Sequence, residues 1–86
     1  MRADLWPWFR ANLTPDERAE ILTAEPRTAS MVGGYDTRRG YDVRIAGAVP
    51  GKVLTGTDPA SPIAAFRRAY AQLAEPVEIV SVLRGR

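Results

Sequence analysis

Asp16 and Glu20, one helical turn apart, form a carboxylate pair of the kind that general acid–base chemistry uses. The helix expected to carry them turns both toward solvent, which is the ordinary place for charged side chains. Nucleophilic chemistry would fall to Ser30, Ser61 or Ser81, but the 86 residues contain no histidine to activate a hydroxyl and no cysteine. Ser61 is better placed as a helix cap and Ser81 as a strand residue. The same absences remove disulfides, thiolate zinc sites and the histidine switch near neutral pH. A metal would need oxygen ligands alone, and no Asp-x-Asp-x-Asp loop occurs. Gly33-Gly34 lacks the spacing of a phosphate loop. No enzymatic activity, cofactor or metal is expected.

Residues suited to binding are more prominent. Leu5-Trp6-Pro7-Trp8-Phe9 holds both tryptophans and three of the seven aromatic residues within four positions. On a helix starting near Leu5, Trp8 and Phe9 share an apolar face with Leu5 and Leu13, and Trp6 points away. That face can be a staple holding the N-terminal helix to the domain. It can also be an anchor for a partner, because tryptophan and arginine dominate interface hot spots. Trp6 stands open to either reading.

Eleven of the twelve cations are arginine, with Lys52 the only lysine, against ten acids, for a formal charge of +2. An arginine bias fits a GC-rich genome as well as a function. Arg38 and Arg39 fall at an expected hairpin tip, Arg44 on a strand face, and Arg67 and Arg68 on a helix exterior. These five could contact phosphates. The small, interspersed surplus differs from the clustered charge of nucleic-acid modules, and no recognition helix or paired surface aromatics on adjacent strands are evident.

The elements that position these residues are well punctuated. Thr14-Pro15-Asp16-Glu17 combines a cap, a proline at the first helical position and a capping box, so a helix is expected from Pro15 to Ala24. Asp4 can cap the shorter helix before it. From Thr28 the period changes to that of strands, over 28–32 and 41–46, with Tyr41, Val43 and Ile45 facing one way and Asp42 and Arg44 the other. Gly-Tyr-Asp occurs twice, at 34–36 and 40–42, giving both shoulders of the intervening hairpin a tyrosine. Val49-Pro50-Gly51-Lys52 reads as a type II turn into a strand over 52–55.

Ser61-Pro62 is the preferred start of the next helix, with Asp58-Pro59 the alternative one turn earlier. Ile63, Phe66, Tyr70 and Leu73 form its apolar face, and Glu75-Pro76 ends it. In the last strand, 77–83, Val77, Ile79 and Leu83 take one face and Val80 and Val82 the other. A strand apolar on both sides asks for two covers. The second would come from the N-terminal helices or from another subunit.

The fold class expected is α+β, a small two-layer domain. It has a mainly antiparallel sheet of three to four strands, one long helix packed across it, and N-terminal helices. One domain is expected over 1–86, with a helical segment at 1–26 and the sheet-plus-helix core at 27–86. The tyrosine-led strand, the turn, Thr57-Asp58-Pro59-Ala60-Ser61-Pro62 into an alanine-rich helix with Phe66 and Tyr70, then Pro76-Val77-Glu78-Ile79-Val80, resembles short accessory proteins of actinobacterial phages. The resemblance covers residues 35–84 and implies a type of origin, with no activity attached.

The expected function is that of a non-enzymatic protein-interaction module, such as a phage-encoded modulator that binds a host protein or self-associates through Trp6, Trp8, Phe9, Arg38 and Arg39. The alternative is a small nucleic-acid-binding protein using Arg38, Arg39, Arg44, Arg67 and Arg68. No signal-peptide core follows the first five residues, and no apolar run approaches the ~20 residues of a membrane span, so a cytoplasmic location is expected.

Overall fold

The computed structural model describes residues 5–22 and 27–85. Two short helices, α1 (Trp6–Asn12) and α2 (Pro15–Ile21), precede strands β1 (Thr28–Asp36), β2 (Gly40–Val49) and β3 (Lys52–Asp58). Helix α3 (Pro62–Tyr70) then leads to β4 (Glu78–Arg84). The expected order of elements is reproduced, and each strand start falls within one residue of its sequence signal. The strands form one mixed sheet ordered β3-β2-β1-β4. Both pairings of β2 are antiparallel, and β4 returns parallel to β1.

Local hydrogen bonds account for where the helices begin. Thr14 accepts from the Glu17 N–H, and the Glu17 carboxylate accepts from the Thr14 N–H, closing the capping box. Ser61 accepts from the Ala64 N–H and Pro62 takes the first helical position, so the preferred register holds over the Asp58 alternative. Asp58 serves the approach instead, its carboxylate receiving the N–H groups of Ala60 and Ser61. Gly40 and Gly51 supply the positive φ angles, 86° and 76°, that the hairpin and the Pro-Gly turn require.

Three expectations are corrected. The helix across the sheet is not long. α3 has nine residues and closes in short-range turns at Ala71–Leu73, where the Tyr70 hydroxyl donates to the Val77 carbonyl and accepts from the Val77 N–H. α2 ends at Ile21 with Leu22 as its C-cap; positions 23 and 24 of its expected span, like the Asp4 cap of α1, lie outside the described residues, and Leu5 occupies the cap position without a side-chain bond.

The second correction concerns β4. The β1–β4 register shifts between Ala29 and Ser30, which skips Val80. Ile79 and Val82 are therefore both buried in the core, while Leu83 falls opposite Val32 on the other face. A bulge of this kind exchanges the two faces of every residue beyond it.

The third concerns the cover of the sheet. Phe9 meets Phe66 edge-to-face at 4.8 Å and Glu17 grips Arg67, so α1 and α2 pack beside α3 on the same face. Phe9, Leu13 and Ile21 join Met31, Ile45, Phe66, Ile79 and Val82 in one core. Among the described residues no helix covers the opposite face, which carries Val32, Leu83, Arg44 and Thr55 in one row across the four strands and Ser81, Ser30, Ala46 and Val53 in the next.

Candidate functional site

The aromatic run at the N-terminus divides differently from its expected faces. Trp6 lies against Phe9, ring centroids 5.9 Å apart, and packs on the core, while Trp8 is 38% exposed. The helix starts at Trp6 with Pro7 in its first turn, and the Leu5 N–H donates to the Val82 carbonyl, tying that start to β4. Positions 6, 9 and 13 then form the face turned to the core, and Trp8, about 100° around from Phe9, is left on the flank. Phe9 is fully buried, so it supports the fold and presents nothing to a partner. Trp8 is the outward ring of the cluster.

The five arginines proposed for phosphate contact are scattered, and four of them are paired. Arg39 faces Asp36 at 3.8 Å, Arg44 faces Asp42 at 3.7 Å, and Arg68 faces Asp58 at 3.7 Å. Asp36 also accepts from the N–H groups of Arg38 and Arg39, which shapes the hairpin tip. Arg67 makes the strongest pair, donating to both carboxylate oxygens of Glu17 at 2.7 and 2.9 Å. Those bonds from Arg67 hold the Glu17 carboxyl at about 2, below its ordinary 4.5, against partial burial that pushes it up; the Thr14 N–H adds to the lowering. The same contact raises the Arg67 pKa. Arg67 thus fastens α3 to α2, and a phosphate would have to displace a bidentate carboxylate to reach it.

One concave feature collects exposed rings. A cleft of about 780 Å³ opens at the hairpin end of the helix-bearing face, where the starts of α1 and α3 approach the ends of β1 and β4. Met31, Val43 and Val82 line its floor, Leu5, Trp8 and Pro62 its walls, and Tyr35 and Tyr41 its mouth. The two tyrosines pair directly across β1 and β2 and meet edge-to-face at 5.1 Å, with Tyr35 64% exposed. Gly33, between Met31 and Tyr35 on the same face, contributes no side chain, and Arg84, opposite Gly33, brings a cation. Asp42 reaches the cleft with its main chain, since its side chain shares the opposite face with Arg44.

Tyr35, Tyr41, Gly33 and Arg84 are lining residues that the sequence alone does not single out, although part of the signal is present. The repeated Gly-Tyr-Asp puts a tyrosine on each hairpin shoulder, and both fall in phase with Val43. Nothing local announced that Trp8 and Arg84 would join them. Arg38 and Arg39 sit on the turn immediately beyond the tyrosines, so Trp8 and the hairpin tip flank the same end of the molecule. Among the described residues no three possible metal ligands gather, and no helix is long and apolar enough to cross a membrane. Comparison of the chain with protein-family models, curated proteins and solved structures gives no match.

Proposed function

We propose that the chain is a non-enzymatic protein-interaction module whose docking surface is the cleft bounded by Trp8, Tyr35 and Tyr41. The observation that carries this reading is the exposure of two large rings, Trp8 at 38% and Tyr35 at 64%, beside an apolar floor. Aromatic side chains of this kind concentrate binding energy when a partner removes the remaining water. In the setting implied by the resemblance of residues 35–84, the partner is a host protein and the chain a phage-encoded modulator acting in the cytoplasm. Self-association is the second reading, favoured by the uncovered sheet face with Val53 57% exposed. The nucleic-acid reading is weakened by the carboxylates beside Arg39, Arg44, Arg67 and Arg68, which would repel phosphate.

The test is capture from host lysate with and without nuclease treatment, at low and moderate salt, using the wild type, the double variant Trp8→Ala, Tyr35→Ala and the double variant Arg38→Ala, Arg39→Ala. A protein partner retained across salt and lost with the ring variant is the expected result. Salt-sensitive capture of nucleic acid from untreated lysate, lost with the arginine variant and kept by the ring variant, would overturn the reading.

A further inference from the structure

The polar groups around the cleft have a consistent sign. The Trp8 indole N–H, the Tyr35 and Tyr41 hydroxyls and the Arg84 guanidinium line it, and none makes a hydrogen bond or ion pair among the described residues. All four can donate, two of them can do nothing else, and Asp42, the one acid among the lining residues, turns its carboxylate toward Arg44 on the opposite face. This lining favours an occupant rich in acceptors. β1 is already paired on both sides, with β2 and β4, so an added strand could join only at the outer edge of β4, where the Val82 carbonyl already accepts from the Leu5 N–H. The rings of Trp8, Tyr35 and Tyr41 line the cleft together with Gly33, which adds no side chain.

On the strength of the protein-docking reading, we infer that the cleft takes a proline-rich segment in the polyproline II conformation, with an acidic residue beside the prolines. Such a segment has no N–H at its prolines to leave unsatisfied, displays its carbonyls outward as acceptors, and docks its rings into grooves between aromatic side chains. Its stiffness lowers the ordering cost of binding in a shallow site. The sign of the flanking residue follows from charge: Arg84 is the charged side chain of the cleft, and Arg38, on the turn next to Tyr35, also has no ion pair among the described residues. Gly33 keeps the cleft open. A Cβ placed there would have nothing closer than the Asp42 carbonyl at 4.0 Å, so the fold has room for a side chain that the sequence leaves out.

That spare room provides a test that does not disturb the fold. The probe is a capped ten-residue peptide of eight prolines with a glutamate at each end, titrated into isotopically labelled protein and followed by amide, indole and side-chain resonances. The expected result is saturable shifts at Trp8, Gly33, Tyr35 and Arg84. Affinity should fall about thirtyfold in Trp8→Ala, the size of a hot-spot truncation. Gly33→Val should abolish the shifts while leaving the melting temperature unchanged or raised, and Tyr35→Ala, at a largely exposed position, gives the same reading should the valine variant unfold. Arg84→Gln should weaken the glutamate-flanked peptide about fivefold and leave a serine-flanked one unchanged.

Equal binding by a peptide with alanine in place of proline would overturn the inference, as would stronger binding by a lysine-flanked peptide or by single-stranded oligothymidylate. So would silence of these resonances toward the proline peptide. If lysate capture still depended on Trp8 and Tyr35 in that case, the docking reading would survive and only the proline assignment would fall. Capture independent of both rings would remove the docking reading itself.

Discussion

Gly56 is the point where α3 touches the sheet, and adding one methyl group there measures how much the fold depends on that contact. A Cβ built at Gly56 lies 2.5 Å from the Ala69 nitrogen and 3.1 Å from its Cβ, and closer still to the Ala65 carbonyl oxygen. These are mainly backbone atoms of a regular helix, so no side chain can swing aside. To restore ordinary contact, α3 must retreat from β3 by roughly 1 Å, a gap that forfeits up to about half the dispersion energy of each atom pair it opens. Ala65, Phe66 and Ala69, all buried, lie on the face that would lift.

Overpacking of this kind costs about 1–3 kcal/mol, and because the obstruction is backbone the upper end, about 3 kcal/mol, is expected for Gly56→Ala. A chain of this length has about 4–13 kcal/mol in all. At about 4–8 °C per kcal/mol the melting temperature should fall by about 12–24 °C. Thermal unfolding followed by circular dichroism gives the measurement, and Gly33→Ala is its control. Gly33 also lies mid-strand on the helix-bearing face, yet its added methyl meets nothing nearer than 4.0 Å. It should leave stability unchanged or raise it by about 0.4–1 kcal/mol. An unaltered melting temperature in Gly56→Ala would refute the close approach. Equal losses in both variants would assign the cost to the strand and not to the helix above it.

Thr14→Ala removes the acceptor for the Glu17 N–H and should destabilise by about 1 kcal/mol in urea titration; no change would mean the cap is not formed. The depressed Glu17 carboxyl sets a pH dependence: its stabilisation is complete above about pH 5 and is lost as pH falls through 4.5 toward 2. Because Arg67 is substantially exposed, the amount is about 1 kcal/mol, and Arg67→Ala should flatten that part of the stability profile. Tyr70→Phe leaves the Val77 N–H and carbonyl without the hydroxyl that serves both, and should cost about 1–3 kcal/mol in the same titration with little change in secondary structure.

What could be read from the sequence was whatever is decided within a few residues. The capping box at Thr14, the Ser61-Pro62 start and the Pro50-Gly51 turn all satisfy backbone groups locally, and each appears where the residues announced it. The phase of β2 was equally plain, because Val43 and Ile45 alternate with Asp42 and Arg44 without interruption. β4 misled because Val77 to Leu83 is apolar nearly throughout, so nothing in its own composition marks Val80 as the residue to be skipped. Only pairing with β1 fixes that register. The Glu17–Arg67 pair joins positions 50 apart, and each partner looks locally like an ordinary exposed charge. The candidate cleft was half visible for the same reason: the hairpin tyrosines are a local repeat, whereas Trp8 and Arg84 reach them through the packing of α1 on β4 and the bulge that turns Arg84 toward Gly33.

The same bulge helps decide between the two surfaces proposed for docking and self-association. By placing Val82 in the core, it leaves Leu83 as the only large apolar side chain that the regular part of β4 gives to the uncovered face, beside Val32 and Val53 on the other strands. Those residues alternate with Ser30, Ser81, Thr55 and Arg44, a mixture that antiparallel sheets commonly expose to water. Four strands about 4.8 Å apart and about six residues long span on the order of 400 Å² per copy, roughly half of what one partner contributes to a stable interface. Face-to-face pairing of two chains would therefore need contacts beyond the sheet. The cleft starts from a better position, because it is concave and lined by the rings of Trp8, Tyr35 and Tyr41 beside the buried apolar residues Met31, Val43 and Val82. Concavity lets a narrow segment bury more of itself per residue than a flat sheet allows, and this favours the cleft over the open face as the proposed docking surface.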